Sequence, residues 1–92
     1  MKAAVIEQQG GVENITYRDW DDPEPGEHDV IVSVRACGLN HLDIFVRRGM
    51  PGFPVPMPFI SGGDISGVVE KTSPAVSGWS EGDRVTLNPQ TD

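Results

Sequence analysis

Asp29-Val30-Ile31-Val32-Ser33-Val34-Arg35-Ala36-Cys37-Gly38-Leu39-Asn40-His41-Leu42-Asp43 puts a strand signal directly against a helix signal. Over Asp29–Ala36, Val30, Val32 and Val34 alternate with Ile31, Ser33 and Arg35, the period of two that a pleated strand requires. Gly38 then interrupts the β-branched run. Asn40 followed by Asp43 has the spacing of a capping box, with an Asn at the N-cap and an acid at N3. This predicts a short helix over His41–Arg48. Leu42, Phe45 and Val46 would form its apolar face, Arg47 and Arg48 would complement its C-terminal dipole, and Gly49 would end it.

Further strands flank this unit. Lys2–Glu7 alternates weakly and predicts an opening strand. Gln8–Gly11 is a turn, and Ile15–Trp20 predicts a half-buried strand with Ile15 and Tyr17 inward. Asp21–Glu27 contains Pro23, Pro25 and Gly26 and cannot extend it. Met50–Pro58 has Pro51, Pro54, Pro56 and Pro58, so it is extended loop whose Phe53, Val55 and Met57 pack onto something. Asp64–Lys71 predicts a second firm strand through Ile65, Val68 and Val69. Ser73-Pro74 and Ser77-Gly78 mark a loop, and Glu81-Gly82-Asp83 a tight turn into a strand at Arg84–Leu87. Roughly five or six short strands with one short helix indicate a mainly β barrel or sandwich.

A chain of 92 residues makes one small domain, 1–92. At this length folding buries roughly 60–65% of the chain's surface, so the core is modest. A net charge of −7, without a basic cluster beyond Arg47-Arg48, argues against nucleic acid and anionic membranes as partners. No apolar run reaches the ~18 residues of a membrane span, and Glu7 comes too early for a signal peptide. Cys37 is the single cysteine, which excludes an internal disulfide and a cysteine-based zinc cluster within the chain, and makes a reducing, cytoplasmic setting the default. A lone thiol of this kind is expected to be a small buried hydrophobe. His28 and His41 share no metal-ligand spacing.

Five blocks in order carry a family resemblance: Met1-Lys2-Ala3; Pro23-Glu24-Pro25-Gly26 with Val30-Ile31-Val32; Cys37-Gly38-Leu39-Asn40-His41-Leu42-Asp43; Gly63-Asp64-Ile65-Ser66-Gly67-Val68-Val69-Glu70; and Gly82-Asp83-Arg84-Val85. The chain resembles the N-terminal part of the medium-chain dehydrogenase/reductase superfamily, which includes alcohol dehydrogenases and quinone oxidoreductases. The resemblance implies a partly open, GroES-like β-barrel. It also implies hydride transfer between NAD(P)H and a small carbonyl, alcohol or quinone, in a cleft between this domain and a Rossmann domain.

Two positions depart from the zinc-dependent members of that family. These carry a cysteine at the position of Asn40 and Gly-His-Glu at the positions of Gly62-Gly63-Asp64. The expectation is therefore no metal site and no catalytic zinc, because such a centre needs three ligands from Cys, His, Asp or Glu. Asn40 instead matches zinc-free members, where it would hydrogen-bond a cofactor or substrate oxygen; its alternative is a plain helix cap. Asp43 is a catalytic candidate, against capping and dipole stabilisation. Phe45 and Arg47 fall where zinc-free members line the cofactor cleft. Their alternatives are a core ring and a solvated last-turn cation. His41 reads as structural or exposed, and Gly62, Gly63 and Gly67 as tight-corner glycines.

No G-x-G-x-x-G fingerprint follows a strand here. The chain is therefore expected to be the substrate-side fragment of an oxidoreductase, with no cofactor bound and no activity by itself. The alternative is a stand-alone, non-catalytic barrel that binds or oligomerises. Unpartnered apolar faces would favour a homo-oligomer in either case.

Overall fold

A computed structural model of the chain describes residues 1–89. The architecture is mainly β with one α-helix, as the alternating patterns required. The strands are β1 (Lys2–Ile6), β2 (Ile15–Asp19), β3 (Val30–Gly38), β4 (Phe59–Ile60), β5 (Asp64–Thr72) and β6 (Arg84–Thr86). Helix α1 spans His41–Arg48, and a 3-10 turn at Val12–Asn14, which no sequence pattern signalled, leads into β2. Two open three-stranded sheets result, ordered β2-β1-β4 and β3-β5-β6. They belong to two compact units: Met1–Asp22 with Leu39–Gly62, and Pro23–Gly38 with the described residues from Gly63 on.

In the first unit β1 is the central strand. It pairs antiparallel with β2 from Lys2↔Asp19 to Ile6↔Ile15, and with β4 at Val5↔Ile60 and Ile6↔Phe59. Ala3, Val5 and Ile6 are buried, and Val5 has 0% of its surface exposed. Burial along β2 departs from the expected alternation: Ile15, Thr16 and Tyr17 are all exposed, and Arg18, opposite buried Ala3, is half-buried. The charge of Arg18 is met on both sides. Its Nε donates to Glu7 Oε1 at 2.7 Å, and its guanidinium lies 4.7 Å from the centre of the Trp20 ring. A long apolar stem with a paired tip covers sheet as an aliphatic side chain would.

The second unit rests on a long antiparallel ladder from Val30↔Thr72 to Gly38↔Asp64. Val69, on β5, is 1% exposed. Gly67 is buried where β5 crosses β3, and a Cβ there would overlap the Ser33 carbonyl and sit 2.7 Å from Val32 Cγ1. β6 comes after a turn in which Ser80 N donates to Asp83 Oδ2 at 2.9 Å and Gly82 takes φ +92°. β3 runs on through Gly38 instead of stopping at Ala36. Register shifts interrupt the ladder twice: Glu70 of β5 is left unpaired between Ile31 and Val32, and Arg35 of β3 between Val34 and Ala36. Val34 is exposed, and so is Cys37, which corrects the expectation of a buried thiol.

Candidate functional site

All four sequence-selected site residues, Asn40, Asp43, Phe45 and Arg47, lie on or at the start of α1 in the first unit. The capping box predicted from spacing is present. Asn40 is extended (φ −138°, ψ 153°), and its Oδ1 accepts from Leu42 N at 3.3 Å and from the Asp43 backbone. Asp43 Oδ2 in turn accepts from Asn40 N at 3.0 Å. The Leu42 amide, which has no intrahelical partner, and the N-cap amide of Asn40 are thereby satisfied. Gly49 closes the helix at φ +96°, with its N–H donating to Phe45 O at 2.9 Å.

Asp43 does more than cap. Its other oxygen, Oδ1, accepts a hydrogen bond from Ser61 Oγ at 2.9 Å, across 18 residues of sequence. Ser61 directly succeeds β4, so the start of α1 is tied to the sheet strand that pairs with β1. Ser61 directly precedes the Gly62-Gly63-Asp64 stretch that the sequence marks out, but nothing in the sequence connects it to Asp43. No local signal links residues so far apart.

The facing of α1 departs from that expected, with only Val46 of the expected apolar face turned inward. Asp43 and Val46 are half-buried and Arg47 is buried at 9% exposure, while Leu42, Ile44 and Phe45 are exposed. Arg47 is therefore not a solvated cation: its Nη1 donates to Gly10 O at 2.7 Å, and its own carbonyl accepts from Gly10 N at 2.8 Å. Phe45 is not a core ring; it is 51% exposed and stacks on His41 with ring centres 6.4 Å apart. His41 is exposed, as expected. Asp43, Val46 and Arg47 share a helical face as well as Leu42, Phe45 and Val46 do, and the polar face won because Ser61 and Gly10 supply it with partners.

The donor set does not suit zinc. Asn40 Oδ1 is committed to helix amides, and Gly63 has no side chain, with the space for a Cβ narrowed to 3.1 Å from Pro89 Cβ. Among the described residues no three His, Cys, Asp or Glu side chains are grouped to hold a metal ion. In the second unit Asp64 borders a shallow depression of about 310 Å³ with Ala36, Gly38, Ile65, Ser66, Thr86 and Leu87; none of the four α1 candidates lines it. No helix among the described residues is long and apolar enough to cross a membrane.

Comparison with known proteins places this geometry in a lineage. Residues 26–92 match the family model of the alcohol dehydrogenase GroES-like domain. The chain is 36% identical over 92% of its length to a synaptic vesicle membrane protein VAT-1 homolog-like of Mus musculus, covering 20% of that protein. It is 35% identical, again over 92% of its length, to a quinone oxidoreductase of Lama guanicoe, covering 26% of it. The crystal structure of an NAD-dependent alcohol dehydrogenase superposes with a TM-score of 0.89 at 43% identity, over 97% of this chain and 26% of the other. The chain thus spans about a quarter or less of these relatives. With its β sheets, capped helix and ordered sequence blocks, it belongs to the alcohol dehydrogenase GroES-like domain family of the medium-chain dehydrogenase/reductase superfamily.

Proposed function

We propose that this domain is the substrate-side part of a cytoplasmic, NAD(P)H-dependent oxidoreductase that acts on a small carbonyl, alcohol or quinone without a catalytic zinc. The observation that carries this reading is the way Asn40 is held. Its Oδ1 is committed to the amides of α1, so any contact it makes with a ligand oxygen runs through Nδ2, a hydrogen-bond donor. NAD(P)H, when bound, supplies the hydride. Asn40 donates to the oxygen on which negative charge grows as the hydride arrives, and a fixed donor aimed there stabilises the transition state more than the ground state. Both Asp43 oxygens are engaged, by Asn40 N and Ser61 Oγ, so the part Asp43 takes in catalysis is to position Asn40. The exposed Phe45 ring offers an apolar wall to the cofactor, and Arg47 serves the same end of the site by holding the backbone at Gly10. The replacement of two expected zinc ligands by Asn40 and Gly63 supports a metal-free mechanism.

The test is kinetic. Within the complete reading frame that contains these residues, NAD(P)H oxidation by a quinone or aldehyde proceeds, and Asn40→Ala lowers kcat by roughly 10²-fold. The isolated chain of 92 residues gives no turnover. Equal rates for the wild type and Asn40→Ala, or stoichiometric zinc in the purified protein, overturn the assignment.

A second reading, a non-catalytic module for binding or oligomerisation, is favoured by one observation. Leu39 is 95% exposed, and Leu42, Phe45 and Phe53 of the same unit are also exposed. It predicts a homo-oligomer of the isolated chain. Sedimentation as a monomer across micromolar concentrations would remove it.

A further inference from the structure

We infer that Ser61 is a positioning residue for Asn40, acting through Asp43; the inference rests on the role proposed for Asn40. Three hydrogen bonds make the connection. Ser61 Oγ donates to Asp43 Oδ1 at 2.9 Å, Asn40 N donates to Asp43 Oδ2 at 3.0 Å, and Leu42 N donates to Asn40 Oδ1 at 3.3 Å. The first link is half-buried; the other two are exposed. A capping box alone holds Asn40 relative to its own helix. The Ser61 bond adds a reference to the sheet, because β4 immediately precedes Ser61 and pairs with the buried central strand β1.

The chemistry requires a hydroxyl. A carboxylate with one oxygen bound to Asn40 N and the other to Ser61 Oγ is fixed in its plane. Without the second bond, Asp43 is free to turn about its terminal torsion, which is broad for a carboxyl group. The Asn40 N–H then loses its acceptor for part of the time, and the direction of the Asn40 amide broadens with it. A donor must be placed within a few tenths of an ångström of the developing charge to act, so this broadening reaches the rate before it reaches the fold.

Two measurements test this. In the chain of 92 residues, Ser61→Ala speeds hydrogen exchange of the Asn40 and Leu42 amides by about fivefold to tenfold, the loss of roughly one hydrogen bond. Amides of Val5 and Ile6 in β1 stay unchanged, and Ser61→Thr, which keeps the hydroxyl, restores protection. Equal acceleration across β1 and α1, or no change at Asn40, overturns the inference by making Ser61 a general packing residue or a bystander. In the complete protein, Ser61→Ala lowers kcat with little change in KM, and it adds nothing further to Asn40→Ala. Fully additive losses overturn the inference. If Asn40→Ala leaves turnover intact while the exchange result holds, it is the proposed function that fails, and the Ser61–Asp43–Asn40 linkage stands.

Discussion

Each of the two units is held together by different means. The second is a backbone structure: β3 and β5 are nine residues each and run side by side from Val30↔Thr72 to Gly38↔Asp64. The first has strands of five, five and two residues, and side chains make up for its short ladders. Asp43 joins α1 to Ser61, Arg47 joins it to Gly10, and Arg18 joins β2 to Glu7. All four site candidates lie in the unit held by side chains. Such a unit is sensitive to single side-chain deletions, whereas a ladder is sensitive mainly to whatever disturbs the approach of its backbones.

That contrast can be broken by substitution. The largest effect is expected at Gly67. Gly67→Val forces a Cβ into the Ser33 carbonyl and should destabilise the second unit by about 3 kcal/mol, read as a lower urea midpoint and faster exchange of the β5 amides. Arg47→Ala comes next. It removes a part-buried charged donor from Gly10 O and should cost the first unit about 2 kcal/mol, with exchange accelerating at Gly10 and along α1 while β5 amides hold. Comparable acceleration in both units would dissolve the distinction between them. The smallest effect is expected at Lys2, whose 2.7 Å pair with Asp19 joins two exposed side chains. Lys2→Ala should shift stability by less than about 0.5 kcal/mol, and a larger loss would show that surface pairs, too, hold the short sheet together.

What was legible in the sequence was local. The bounds of α1 came from a capping box, two terminal arginines and Gly49, all within one short window, and the helix starts and ends there. The turn at Glu81-Gly82-Asp83 and the strand after it were legible for the same reason. What failed was facing. Ile15, Tyr17 and Val34 are exposed although their strand patterns put them inward. The polar face of α1 turns inward because Ser61 and Gly10, far away in sequence, receive it. The candidate site was legible as a set of positions, since Asn40 and Asp43 carry both the family pattern and the cap. The partners that orient them were not, because hydrogen bonds across 18 and 37 residues leave no periodic trace.

The place of β1 bears on how the chain emerges from a ribosome. β1 is made before the other described elements, and β2 can pair with it as soon as Asp19 is clear. Its other edge waits for Phe59 and Ile60, while the whole of β3 and α1 is synthesised in between. During that interval Val5 and Ile6, later among the most buried residues, line an open strand edge. Nascent chains of this domain should therefore engage holdase chaperones through β1, and release should follow the emergence of Ser61, the step that also completes the tie to Asp43.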